Sequence, residues 1–115
     1  MNEEVLKYLY DIKLAIDEIE SFFSSRPKRY EQYLDDIILK RAIERNLEII
    51  GEAINRILME DPKFPLKNAK KIVGLRNQII HAYDAISDEN IWGIVINHLP
   101  VLKLEVEALI QQSRF

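Results

Sequence analysis

Arg76, Asn77, His81, Tyr83 and Asp84 crowd into one short stretch, Leu75–Asp84, which reads Leu-Arg-Asn-Gln-Ile-Ile-His-Ala-Tyr-Asp. Arg76 offers a planar, permanently charged fork that matches the oxygens of a carboxylate or a phosphate. His81 carries the side-chain type that exchanges protons near neutrality. The surrounding pattern is helical. At about 100° per residue, Ile72, Val73, Leu75, Ile79 and Ile80 fall on one apolar arc. Arg76 lies near the middle of that arc with Tyr83 seven residues below it, and Asn77, His81 and Asp84 form a second row beside it. A guanidinium on an apolar stripe is costly unless an anion meets it there. Either an acidic side chain or a phosphate satisfies that demand. An imidazole near a helix C-terminus has a purely structural reading as well, because its charge suits the macrodipole.

The 115 residues make one domain, 1–115, with material for a single core. Nearly half the residues are apolar, with only three Gly and four Pro, which suits a mostly helical protein. There is no Cys, so a disulfide framework and a thiolate metal site are both excluded. No His/Asp/Glu set has ligand spacing, so no metal and no cofactor is expected. The acidic start shows no signal peptide, and no apolar run approaches the roughly 20 residues of a membrane span. A cytoplasmic protein is expected. The net charge of −3 means that a polyanion would need a local basic patch. Arg26, Lys28 and Arg29 in one loop are one candidate, and Lys63, Lys67, Lys70 and Lys71 just ahead of Arg76 are another.

Four amphipathic helices in an all-α, up-and-down bundle would position these residues. The first runs from about Asn2 to Ser24, with Val5, Leu9, Ile12, Ile16, Ile19 and Phe23 on its core face, and ends ahead of Pro27. The second is a long helix from near Lys28 to about Met59. Leu39, Ile43, Leu47, Ile50, Ile54, Ile57 and Leu58 form its core face. Its opposite stripe mixes Leu34, Ile38, Arg41, Ala42, Arg45, Ile49, Glu52 and Arg56, and should face either the polar row of the third helix or a second copy of the chain. Arg45 and Glu52, two turns apart, are placed to bracket a buried polar cluster or to join a surface ladder. Gly51 weakens a helix by about 1 kcal/mol, so close approach of another helix is the expected reason for it. After a loop over Glu60–Pro65, the third helix covers about Lys67 to Tyr83. Ser87 caps the fourth helix, in which Ile91, Val95, Leu99, Leu102, Val106 and Leu109 face the core and Pro100 predicts a kink or a restart. His98 reads as structural.

The string Arg-Asn-x-x-x-His-x-Tyr-Asp, late in a small helical domain, resembles the signature of the HEPN superfamily and within it the HepT-like ribonuclease toxins, Arg-x4-His-x-Tyr. Arg76, His81 and Tyr83 match it without departure. Ile43-Glu-Arg-Asn-Leu-Glu-Ile-Ile-Gly-Glu-Ala also resembles that family's second helix. The resemblance implies a metal-independent endoribonuclease that acts as a homodimer with the two motifs facing across a cleft. Arg76, His81 and Asn77 would be catalytic, Lys67, Lys70 and Lys71 would bind RNA, and Arg45, Glu52 and Asp84 would support the site. It also implies a minimal nucleotidyltransferase antitoxin as partner, which silences the nuclease by transferring AMP to Tyr83. A non-catalytic HEPN-like module that binds a nucleotide or a nucleotidyltransferase is the alternative.

Overall fold

All regular structure among the described residues, 1–81 and 87–113 of a computed structural model, is helical. Helix α1 spans Glu3–Ser21, and Asn2 caps it by accepting the Val5 N–H at 2.8 Å. Val5, Leu9, Ile12, Ile16 and Ile19 are buried as the spacing predicts, together with Ala15, while Phe23 packs at the edge of the core against Trp92.

The long second helix is two helices. Helix α2, Tyr30–Asp35, stops at Asp36, which has extended backbone and caps α3, Ile37–Glu60. One Asp36 oxygen accepts the Leu39 N–H at 3.0 Å, and the other meets the Arg26 guanidinium at 2.8 Å. Those two contacts hold the Asp36 carboxyl below the usual carboxylate range, the Arg26 hydrogen bond most. They also use Arg26 internally, which leaves Lys28 and Arg29 as the members of that loop without a carboxylate partner among the described residues. The break separates α2 from α3, and α2 buries Tyr33, whose ring sits 5.2 Å from Trp92 and 6.2 Å from Tyr30. Burial pushes the Tyr33 hydroxyl well above its usual pKa.

Helix α4 is Ala69–His81, so the start expected at Lys67 lies two residues too early. Tyr83 and Asp84, expected at the end of this helix, fall within 82–86 and lie outside the described residues. Ser87 caps α5, Asp88–Gly93, by accepting the Asn90 N–H at 3.2 Å. A π-helical turn, Ile94–His98, then leads into α6, Leu99–Ser113. The restart expected near Pro100 is therefore present. Proline has no N–H to give and its ring crowds the carbonyl four residues back. The chain widens by one residue just before it, with the Leu99 N–H donating to the Ile94 carbonyl, and Pro100 falls in the first turn of α6, where it is tolerated.

Helix α3 is the centre of the packing. It lies against α1 and α4, and α1 in turn lies against α6. Lys103 on α6 reaches Glu20 on α1 at 2.8 Å, and Lys40 on α3 reaches Asp88 on α5 at 3.1 Å. The Cα envelope, 44 × 32 × 18 Å, is a slab about two helices thick. Among the surfaces left open are a cleft where α1, α3 and α4 meet and a groove between α4 and the α5–π segment. No helix among the described residues is long and apolar enough to cross a membrane.

Candidate active site

Gly51 sets the distance between α3 and α4. A Cβ at that position would stand 2.3 Å from the Arg76 Cβ, 2.8 Å from its Cγ and 3.4 Å from the Ile72 carbonyl. Only a glycine allows α4 to come this near, and the residue that it admits is Arg76. The expected close approach is thus made by the motif helix, at the motif arginine.

Arg76 emerges from this contact into the cleft, with a fifth of its side chain exposed. The guanidinium donates from Nη2 to Glu52 on α3 and from Nη1 to the Asn77 side-chain oxygen at 2.7 Å. Its Nε–H is buried with no acceptor. Glu52 is shared: its other oxygen accepts from Arg56 Nε at 2.8 Å. The Arg56 hydrogen bond, helped by the Arg76 and Arg56 charges, holds the Glu52 carboxyl below the usual carboxylate range despite partial burial. The demand for an anion beside Arg76 is met within the chain by this carboxylate.

The cleft has a volume of about 520 Å³. Lys7, Tyr8 and Asp11 of α1 form one wall, and Arg45, Glu48 and Arg56 of α3 flank Glu52 and Arg76 opposite. Four cations face three carboxylates in it. The pairs are Lys7 with Asp11 at 3.7 Å, Arg45 with Glu48 at 3.4 Å, and Glu52 with two arginines at once. The excess positive charge therefore sits at the Arg56–Glu52–Arg76 bridge. An entering phosphate could take Arg76 while Glu52 kept Arg56, so the exchange leaves no charge unpaired.

Arg45 and Glu52 line the same cleft but do not bracket a buried cluster. The Arg45 side chain is 71% exposed and, among the described residues, pairs with Glu48, one turn away. The polar–apolar stripe of α3 divides accordingly. Its lower part, at Glu52, faces α4, whereas Leu34, Ile37 and Ile38 at the α2–α3 corner are exposed, Ile38 by 80%. Asn77, expected among the catalytic residues, holds the guanidinium of Arg76 through its side-chain oxygen.

His81 is exposed at the end of α4 and is not among the residues of the cleft. Five residues on a helix turn the chain by about 140° and advance it by about 7 Å, so His81 and Arg76 leave α4 in different directions. One chain does not bring them together. Lys67, Lys70 and Lys71 are also exposed and lie away from the cleft, with the Lys67 N–H donating to Glu105 at 3.1 Å. His98, read as structural, is half-buried and lines the second groove. Arg56 is the member of the site that the sequence does not single out. Its spacing of four residues from Glu52 is the signal that could have found it. No metal-holding group of His, Asp and Glu occurs among the described residues.

The Glu52 charge has a pH signature. A carboxyl held low in the folded chain contributes stability that is present above the ordinary glutamate pKa, about 4.3, and is lost as pH falls through the lowered native value. Solvent screening at this half-open position keeps the contribution to about 1 kcal/mol or less. Glu52→Gln should therefore lower the melting temperature at neutral pH, and the gap from the parent protein should close on acidification. Thermal melts of both proteins across that range check it; a gap constant with pH would show that the charge of Glu52 contributes nothing.

Comparison with known proteins bears on what such a site does. A family model described as Ribonuclease HepT-like matches residues 12–109. A Methanocaldococcus jannaschii protein named "Putative RNase MJ1380" is 37% identical over 108 residues, covering 92% of this chain and 96% of its own length. Another from that organism, "Putative RNase MJ0127", is 36% identical over 111 residues, 95% of this chain and 89% of its own. A Thermococcus cleftensis protein named "Probable ribonuclease HepT" is 35% identical over 106 residues, 89% of this chain and 92% of its own. No solved structure matches.

Proposed function

The chain belongs to the HepT-like ribonuclease family, and from that premise we propose that it is a metal-independent endoribonuclease whose site is completed by a second copy of itself. The observation that carries this is Arg76: a half-buried guanidinium with an unsatisfied Nε–H, held by a carboxylate that already has another partner. Such an arginine is positioned and can be released to an incoming phosphodiester.

Without a metal, RNA cleavage needs a base for the 2′-hydroxyl proton, an acid for the leaving oxygen and a cation for the charge that gathers on phosphorus. A neutral His81 takes the 2′-hydroxyl proton as that oxygen attacks phosphorus. Arg76 faces the non-bridging oxygens. The bond from phosphorus to the 5′-oxygen breaks, and a protonated His81 from the second copy supplies the proton to that oxygen. The products are a 2′,3′-cyclic phosphate and a 5′-hydroxyl. Each chain has one such histidine, and in each chain it diverges from Arg76, so two copies supply what one does not. The exposed apolar corner of Leu34, Ile37 and Ile38 offers part of the surface on which they would meet.

The same reading makes the protein the toxin of a toxin–antitoxin pair acting in the cytoplasm. A minimal nucleotidyltransferase would transfer AMP from ATP to the Tyr83 hydroxyl with release of pyrophosphate, putting a phosphate and a bulky base beside the motif. What supports this is the resemblance at Tyr83. The alternative, a non-catalytic module that binds a nucleotide or a nucleotidyltransferase, is favoured by the Glu52–Arg76 pairing, which can clamp without turnover.

Incubation of the purified protein with RNA in excess EDTA, followed by end-group analysis, separates the two. EDTA-resistant cleavage that leaves 2′,3′-cyclic phosphate and 5′-hydroxyl ends is expected. Cleavage only with added divalent cation overturns the metal-independent mechanism, and intact RNA under all conditions leaves the binding module.

A further inference from the structure

The side of α4 that faces away from Arg76 carries Lys70, Lys71, Gly74, Gln78 and His81, all exposed. At about 100° per residue they occupy one half of the helix surface, in line with one another. Beside them runs the α5–π segment, and between the two lies a groove of about 400 Å³. Asn90, Asn97 and His98 form its far wall, and Leu75 and Ile94 supply apolar surface at its floor. Among its described lining residues Glu89 is the one carboxylate, against two lysines. Among the described residues, none of the Lys70, Lys71, Gln78, Asn97 and His98 side chains has a hydrogen bond or an ion pair. Asn97 and His98 both come from the π turn, a helix distortion that recurs at functional sites.

We propose that this groove is a subsite for a nucleotide of single-stranded RNA, flanking the bond that is cut. The inference rests on the ribonuclease reading and adds where the strand lies. Lysines at one lip suit backbone phosphates. Side-chain amides that offer donors and acceptors together suit the edges of an unpaired base, and an apolar floor suits its face. The volume falls in the range of small-molecule sites. The path leads to the reacting group. Gly74 and His81 share a face two turns apart, about 10 Å along the axis, which is on the order of two or three stacked nucleotides at about 3.4 Å each. A strand seated in the groove thus reaches the imidazole without leaving α4.

Gly74 provides the sharpest test, because a Cβ there has no heavy atom within 4 Å and a larger side chain enters the groove without touching the core. The probe is a short, labelled, fully 2′-O-methylated single-stranded RNA, which keeps phosphates and bases but resists cleavage. Gly74→Trp is expected to weaken its binding about tenfold with the salt dependence intact. Lys70→Gln combined with Lys71→Gln is expected to weaken binding and to reduce the slope of log affinity against log salt by about 1.4, two phosphate contacts on a single strand. If the lysine pair has its effect but Gly74→Trp has none, the groove is overturned in favour of diffuse attraction to α4. Unchanged affinity and slope in both variants overturn the subsite and leave the ribonuclease reading standing. A parent protein that binds no single-stranded RNA overturns both.

Discussion

His81→Ala should lose RNA cleavage by about a thousandfold, in the middle of the range that a positioned proton-transfer group contributes. The protein should otherwise be unaffected. His81 is exposed at the end of α4, so the change is a surface one and stability should stay within about 0.5 kcal/mol. Melting temperature and cleavage rate, measured on the same preparation, separate chemistry from folding. Growth inhibition on expression should disappear with the activity. A variant that cuts RNA at the parental rate removes the imidazole from the mechanism, and one that melts early assigns it the structural role at the helix terminus instead.

Gly51→Ala is the second large effect, and its sign runs against helix propensity. Alanine inside a helix is worth about 1 kcal/mol over glycine. Here the added carbon would stand 2.3 Å from the Arg76 Cβ, and both atoms are fixed to their backbones, so α4 must move off α3. Overpacking of this kind costs about 1–3 kcal/mol, with the severity of this contact favouring the upper end. The clash outweighs the propensity gain, and a fall in melting temperature of about 5–10 °C follows. Cleavage should fall further than stability explains, because Arg76 moves with α4 and a displacement of about 1 Å can cost a hundredfold. Gly93→Ala supplies the control: with no heavy atom within 4 Å of its Cβ, it should leave stability unchanged or raise it. A Gly51→Ala protein as stable and as active as the parent would mean that α3 and α4 are not held at this distance in solution.

The sequence carried the helical architecture because the apolar spacing is regular and unambiguous. Val5 to Ile19 and Leu39 to Ile57 face inward as their periodicity requires. It carried Gly51 for a physical reason, since a glycine inside a strongly helical run needs a neighbour close enough to demand it. The break at Asp36 was not legible. Tyr30 to Leu39 reads as continuous helix, and only the joint capture of Asp36 by the Leu39 N–H and the Arg26 guanidinium makes ending one helix and capping the next the better solution. The partner of Arg76 was legible as a type, an anion, but not as Glu52. That choice depends on the rotation of α3 against α4, which sequence spacing within either helix does not determine. The Lys70–His98 groove was hidden for the same reason: its two walls are some two dozen residues apart in sequence, and although Pro100 announces a break nearby, no spacing within either wall fixes the distance between them.

The divergence of Arg76 and His81 around α4 has a kinetic corollary. If neither chain alone can place both groups on one phosphate, specific activity depends on how many molecules are paired. Well below the dissociation constant of the pair, halving the amount of protein quarters the cutting rate. Cutting at low concentration then falls with the square of the amount of protein, and that threshold is written into the turn of a single helix.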